Sequence, residues 1–219
     1  MPIRKEVPTN GQYYHVFVRS IAGFVVFNSE NEYGRMKEGI NYYKYIDFNI
    51  KYSRLKKMTL GSQLAMLDDL EKTSDKFIDV VSYCLMPTHI HLLLKQGCDN
   101  GVSIFMKKLL QSYSNYFNIA HRRNGPLWAS RFKNVLIKND EQLLHLTRYI
   151  HLNPTSVGLV KKPEDWKYSS YRAYITGAGL DPEIIDLNPG EYKEFVDDRR
   201  DYQKELSKIK ALLIDHYTG

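Results

Sequence analysis

At 219 residues and 25.7 kDa, with 43% hydrophobic and 26% charged residues, the chain is long enough for one buried core, short for two, and too apolar for wholesale disorder. Met1 to Gly11 carries no signal-peptide-like apolar run, and no stretch of about 18 apolar residues occurs, so a cytoplasmic protein is expected. Two cysteines, Cys84 and Cys98, rule out a disulfide framework or a paired-cysteine metal site, while a net charge of +6 suits a nucleic-acid partner.

Along the chain, Gln12 to Arg19 (QYYHVFVR) is aromatic and β-branched and predicts a strand, followed by a helix around Tyr33 to Tyr45. Leu64, Leu67 and Leu70 recur at helical spacing and predict a second helix over Leu60 to Leu70. Phe77 to Leu85 and His89 to Leu94 are apolar strands separated by the Met86-Pro87-Thr88 break, hence an antiparallel pair. Val102 to Ala120 predicts a helix ended by Asn124-Gly125-Pro126, and Arg131 to Lys138 a further strand. Asn139-Asp140-Glu141 supplies capping chemistry for a short helix from Glu141 to about Leu152, which Pro154 is expected to stop. The segment YSSYRAY follows Trp166, then a loop from Gly177 to Gly190 and a charged amphipathic helix from Glu191 to Ile214. The pattern argues for an α+β fold, an antiparallel sheet with helices packed on one side.

Three features carry chemistry. Asn100 to Asn139 contains no acidic residue but holds Lys107, Lys108, Arg122, Arg123, Arg131 and Lys133, interleaved with aromatics such as Trp128. One-signed charge with aromatics can neutralise phosphates and stack on unpaired bases, and Arg131 and Lys133 are the leading phosphate contacts. In His89-Ile90-His91 the period-2 pleat sends both imidazoles to one face, where they can share a divalent ion. By itself a His-x-His is a weak signal in a chain with seven histidines. Tyr149 and Asn153 stand at i and i+4 on the short helix, with His145 a turn earlier, so a nucleophile and a neutral oxygen ligand can project together.

In order, QYYHVFVR, SYCLMPTHIHLLLK, NGPLWASRFKNVLI, LTRYIHLNPTSVGLV and DWKYSSYRAY span about residues 11 to 175 and resemble the HUH-type single-tyrosine transposases, particularly the REP-associated tyrosine transposases and their insertion-sequence relatives. Thr88, where such proteins often carry Asn, and Ser20, where Gly is common, depart from the pattern. The resemblance implies a ferredoxin-like core and a catalytic domain over residues 1–175, with 176–219 a helical extension of unknown role. It also implies metal ligation by His89, His91 and Asn153, with Mg²⁺ or Mn²⁺ as cofactor, and Tyr149 as nucleophile, with Tyr113 and Tyr116 as less well matched rivals. The expected activity is cleavage and rejoining of hairpin-containing single-stranded DNA through a covalent 5′-phosphotyrosine. A homodimer is left open, because insertion-sequence relatives include obligate dimers and REP-associated members can act as monomers. The alternatives are a domesticated, non-catalytic DNA- or RNA-binding regulator and a metal phosphodiesterase that uses water.

Overall fold

Burial along β1 (Tyr13–Arg19) follows the pleat: Tyr14, Val16 and Val18 enter the main core, while His15, Phe17 and Arg19 belong to the other face. The computed structural model describes residues 7–48, 50–178 and 187–198. With β2 (Ile78–Met86), β3 (His89–Gln96) and β4 (Lys133–Leu136), β1 forms a sheet of order β2-β3-β1-β4 in which all neighbours are antiparallel. This is the ferredoxin-like arrangement expected. Register places Phe17 opposite His91 and Arg19 opposite His89.

On one face Ile90, Leu92 and Leu94 of β3 pack with β1 against α1 (Glu30–Tyr43) and α4 (Gly101–Ala120). Each such buried aliphatic side chain contributes roughly 1.5–3 kcal/mol. Ser29 and Glu32 start α1 with a reciprocal capping box. At the head of α4, Gly101 is demanded by close approach: a Cβ there would lie 2.0 Å from the Phe77 carbonyl oxygen. Between β1 and β2 also lie α2 (Tyr52–Leu55) and α3 (Leu60–Thr73). The expected leucine helix is therefore present, but only its Leu70 is buried and Leu60 and Leu64 face solvent.

The opposite face has a helix of its own. Leu143, Leu146 and Ile150 of α5 (Asp140–Ser156) pack on Val81, Cys84 and Leu93, so the sheet is covered on both sides rather than one. Two expectations for this helix need correcting. Asn139 caps it as expected, accepting from the Gln142 amide at 2.9 Å, but Pro154 does not stop it. Proline lacks only one N–H, and the buried Pro154 lies inside the last turn. The stop comes at Gly158, whose φ of 74° closes a Schellman motif: Gly158 N–H donates to Thr155 O at 3.1 Å and Leu159 N–H to Pro154 O at 2.9 Å.

After α5 the aromatic segment runs along the free edge of β2, where Leu85 N–H donates to Tyr168 O and Ser170 N–H to Tyr83 O. Pairing there blunts an exposed sheet edge. Then come α6 (Tyr171–Ile175) and α7 (Pro189–Asp197), whose Tyr192 and Val196 pack with Leu152, Tyr171 and Tyr174. The expected Glu191–Ile214 helix is seen as α7; its portion over residues 199–214 lies outside the described residues, as does 179–186 of the expected loop. Among the described residues no helix is long and apolar enough to cross a membrane.

Candidate active site

β3 brings its histidines to the α5 face, as the pleat requires. The His89 and His91 rings are 5.0 Å apart and nearly perpendicular. His89 is half-buried, its Nδ1 3.0 Å from the Thr88 hydroxyl, whereas His91 is 1% exposed. His91 Nδ1 is 3.1 Å from His15 Nε2, and its ring lies near-parallel to those of His15 and Phe17, with centroids 5.3 and 5.9 Å away. Its other nitrogen, Nε2, is buried with no hydrogen-bond partner among the described residues. Burial, reinforced by His89, His15 and Arg19 nearby, holds His91 well below the ordinary histidine pKa, so it is neutral and has a lone pair to give.

Tyr149 comes to this group from α5, its ring edge-on to His91 at 5.8 Å and to His15 at 6.3 Å. One turn on, Asn153 is 7% exposed and its amide NH₂ donates to Tyr149 O at 2.9 Å. That bond fixes the amide and occupies the end a cation does not use. Among the described residues no three His, Cys, Asp or Glu side chains are placed to hold a metal ion together. A metal held by this histidine pair would need a ligand of another type, and the Asn153 amide oxygen could be one. The donor set fits a divalent ion that keeps positions open for phosphate oxygens. The buried, unpartnered Nε2 is the atom that calls for such a ligand.

The other expected residues divide between layers. Lys133 shares the site's face: it pairs with Phe17 in the sheet and its Nζ lies 5.8 Å from that ring. Arg131, two residues earlier, is exposed. Lys107, Lys108, Arg122 and Arg123 belong to α4 and the turn after it, in the layer across the sheet from Tyr149. There Lys108, Arg122 and Arg123 line a groove of 1410 Å³ with α1 residues such as Arg35. Lys107 is exposed, Lys108 sits 4.2 Å over the Phe48 ring, and Arg123 is bonded to Asn118 Oδ1 and Pro126 O, both at 2.8 Å. Trp128 is half-buried against Tyr113 and bridges to Ser20. Of the rival tyrosines, Tyr113 is buried in the α4 layer, its hydroxyl donates to Val26 O, and burial pushes its pKa far up; Tyr116 lines the groove. Neither shares a face with the histidine pair.

His15, Phe17 and Arg19 were missed by sequence reasoning. Their signal was present, since the alternation that buries Tyr14, Val16 and Val18 puts these three together on the other face. What the local pattern lacks is that this face meets β3's histidines. His145 turns away from the sheet and stacks on Phe195 at 5.6 Å.

Comparison with known proteins bears on the family and the fold. A model of the family described as IS200-like transposases matches residues 51–153. A Haemophilus influenzae protein described as a REP-associated tyrosine transposase is 30% identical over 121 residues, covering 51% of this chain and 68% of the relative. The REP-associated tyrosine transposase of Escherichia coli K12 is 23% identical over 150 residues, covering 65% and 87%. Among solved structures, a REP-associated tyrosine transposase bound to a REP hairpin superposes with a TM-score of 0.54 at 16% identity, over 83% of this chain and 89% of that one.

Proposed function

The chain belongs to the REP-associated tyrosine transposase family, and on that premise we propose that it is a metal-dependent single-strand DNA endonuclease and strand transferase with Tyr149 as nucleophile. The observation that carries this reading is the Tyr149 ring set edge-on, 5.8 Å from a buried histidine whose Nε2 has no hydrogen-bond partner among the described residues. A divalent ion, Mg²⁺ or Mn²⁺, held by His89, His91 and Asn153, would supply polarisation of a non-bridging phosphate oxygen.

The remaining chemistry falls to the chain. α5 is packed on the sheet through Leu146 and Ile150, so Tyr149 is presented on a rigid element and a phosphodiester laid across the histidine face can be attacked in line. The phenol oxygen bonds to phosphorus as the bond to the 3′ oxygen breaks; the phenol proton passes to solvent and the leaving oxygen takes one up. The products are a 5′-phosphotyrosine and a free 3′-hydroxyl. Because the diester is retained, a second 3′-hydroxyl can reverse the step and join strands without ATP. His15 holds His91 through Nδ1 and so aims Nε2. Arg19 and Lys133, on the same face, would contact flanking phosphates. The substrate class is single-stranded DNA containing a hairpin, by analogy with the hairpin held by the solved relative.

The test is a denaturing gel of the protein incubated with Mn²⁺ and labelled single-stranded hairpin DNA. Wild type is expected to give a covalent adduct that is absent with Tyr149→Phe and with chelator. Product without adduct makes water the nucleophile, and binding without product makes the chain a non-catalytic regulator.

A further inference from the structure

Directly after Arg19 the chain makes a short loop, Ser20 to Val25, that exposes three large apolar side chains. Ile21 is 38%, Phe24 46% and Val25 42% exposed. The loop contains one 3-10 turn, Ile21–Gly23, with left-handed backbone at Ala22 (φ 51°) and Gly23 (φ 67°). An L-alanine adopts that region only where its surroundings impose it.

Both ends of the loop are tied to the turn that carries the histidine strand. Ser20 N–H donates to Thr88 O at 2.8 Å and Val26 N–H to Pro87 O at 2.8 Å, while Ile21 N–H donates to Leu127 O at 3.0 Å. The two ends of the loop are therefore held beside Pro87 and Thr88, directly before His89, while its tip leans toward Leu127 and α4. Phe24 is also backed: its ring meets Phe117 edge-on at 5.9 Å, and the Arg123 guanidinium lies 5.4 Å from its centroid. An exposed aromatic ring with a cation against it can serve as a stacking platform.

The surroundings select the occupant. The loop is flanked by Arg19 on the sheet side and by Arg122 and Arg123 on the helix side, and the nearby Glu32 is buried, its carboxylate taken up by His121 and by the Asn28 and Ser29 amides. Basic flanks around an apolar tip suit the phosphates and bases of a nucleic acid better than a lipid interior or an apolar protein face.

Resting on the proposed DNA-cleaving function, we infer that the Ser20–Val25 loop is an apolar wedge on which an unpaired base next to the scissile phosphate stacks, with Phe24 as the platform. Phe24 is thereby a positioning residue, fixing which phosphate of a strand lies across His89 and His91.

The test uses the full chain carrying Tyr149→Phe, so that DNA is bound but not cut, with Mn²⁺ and hairpin oligonucleotides bearing 2-aminopurine at successive unpaired positions beside the stem. The parent is expected to change the fluorescence at one position. Phe24→Leu, which keeps an apolar contact with Phe117, should abolish that change and weaken binding about tenfold, and Phe24→Trp should restore both. In the Tyr149-containing chain Phe24→Leu should also spread cleavage over neighbouring phosphates. Unchanged affinity and fluorescence in Phe24→Leu overturn the wedge but leave the DNA-cleaving reading standing. A parent that binds no hairpin overturns both.

Discussion

Two buried histidines, both inside the motifs that mark this chain, have opposite surroundings. His151 on α5 has both ring nitrogens bonded, Nδ1 at 2.6 Å from the Tyr192 hydroxyl and Nε2 at 2.7 Å from the Ser170 hydroxyl. His91 on β3 has one nitrogen facing His15 and the other buried without a partner among the described residues. Burial lowers the pKa of both, so desolvation alone does not tell them apart. Satisfaction does. A buried polar atom with partners is an element of architecture, here tying α5 to the β2 edge segment and to α7. One without partners is a standing cost that folding by itself does not justify, and it points to something the protein binds.

The sharpest way to break this comparison is His91→Phe. The ring is similar in size, the stack with Phe17 is kept, and the unpartnered nitrogen is removed, while His15 loses one contact. Stability should change by no more than about 1 kcal/mol. Cleavage should fall on the order of 10³-fold, because loss of Lewis-acid polarisation removes several kcal/mol of transition-state stabilisation. Denaturant melts and the adduct gel read the two effects separately. A loss of 3 kcal/mol or more in stability would make His91 a residue of the same kind as His151.

His151→Phe should behave the other way round. It strips a bond from the fully buried Tyr192 hydroxyl and another from Ser170, at a cost of about 2–3 kcal/mol. For a domain of this size that lowers the melting temperature by about 5–10 °C. Adduct formation at 20 °C, per folded molecule, should stay within about tenfold of wild type, since a change well outside the reacting groups alters only how firmly α5 is held. A melting temperature equal to wild type would show that the Tyr192 and Ser170 contacts carry no stability.

How much of this was legible in the sequence depends on how local each feature is. The four strands, α1, α4 and the placing of His89, Ile90 and His91 on alternate faces follow from short-range periodicity. The ordered motifs drew Tyr149 and Asn153 to the same site, and the fold bears out the ferredoxin-like frame behind them. Pro154 was over-read: the stop signal was Gly158, four residues later, where only a glycine readily takes the left-handed cap. The run of basic residues was legible as a run but not as a surface. It passes from α4 through the following turn to β4, so Lys108 and Lys133 end on opposite layers of the sheet. His15 was out of reach for the same reason, since its neighbour is fixed by the strand order β2-β3-β1-β4, which closes contacts 76 residues apart. Nothing in the string LTRYIHLNP separates a structural His151 from a chemical one, because Ser170 and Tyr192 decide it from 19 and 41 residues away.

The smallest effect separates the two histidines by proton linkage. Burial lowers the folded pKa of His151 from 6.5 to about 3. Acid therefore protonates the unfolded chain first, and the stability this group contributes is complete above pH 6.5 and is lost progressively as the pH falls toward 3. Each unit within that window costs about 1.4 kcal/mol. His91 pulls in the same direction, but it is present in both wild type and His151→Phe and cancels between them. The stability gap between those two chains should therefore narrow by about 1.4 kcal/mol between pH 7.5 and pH 5.5, as read from urea melts at the two values. If the two chains instead lose stability in parallel, His151 is being protonated within the folded protein. The Tyr192 and Ser170 contacts would then be open to water, and the distinction between a sealed histidine on α5 and an open-handed one on β3 would fail at its structural end.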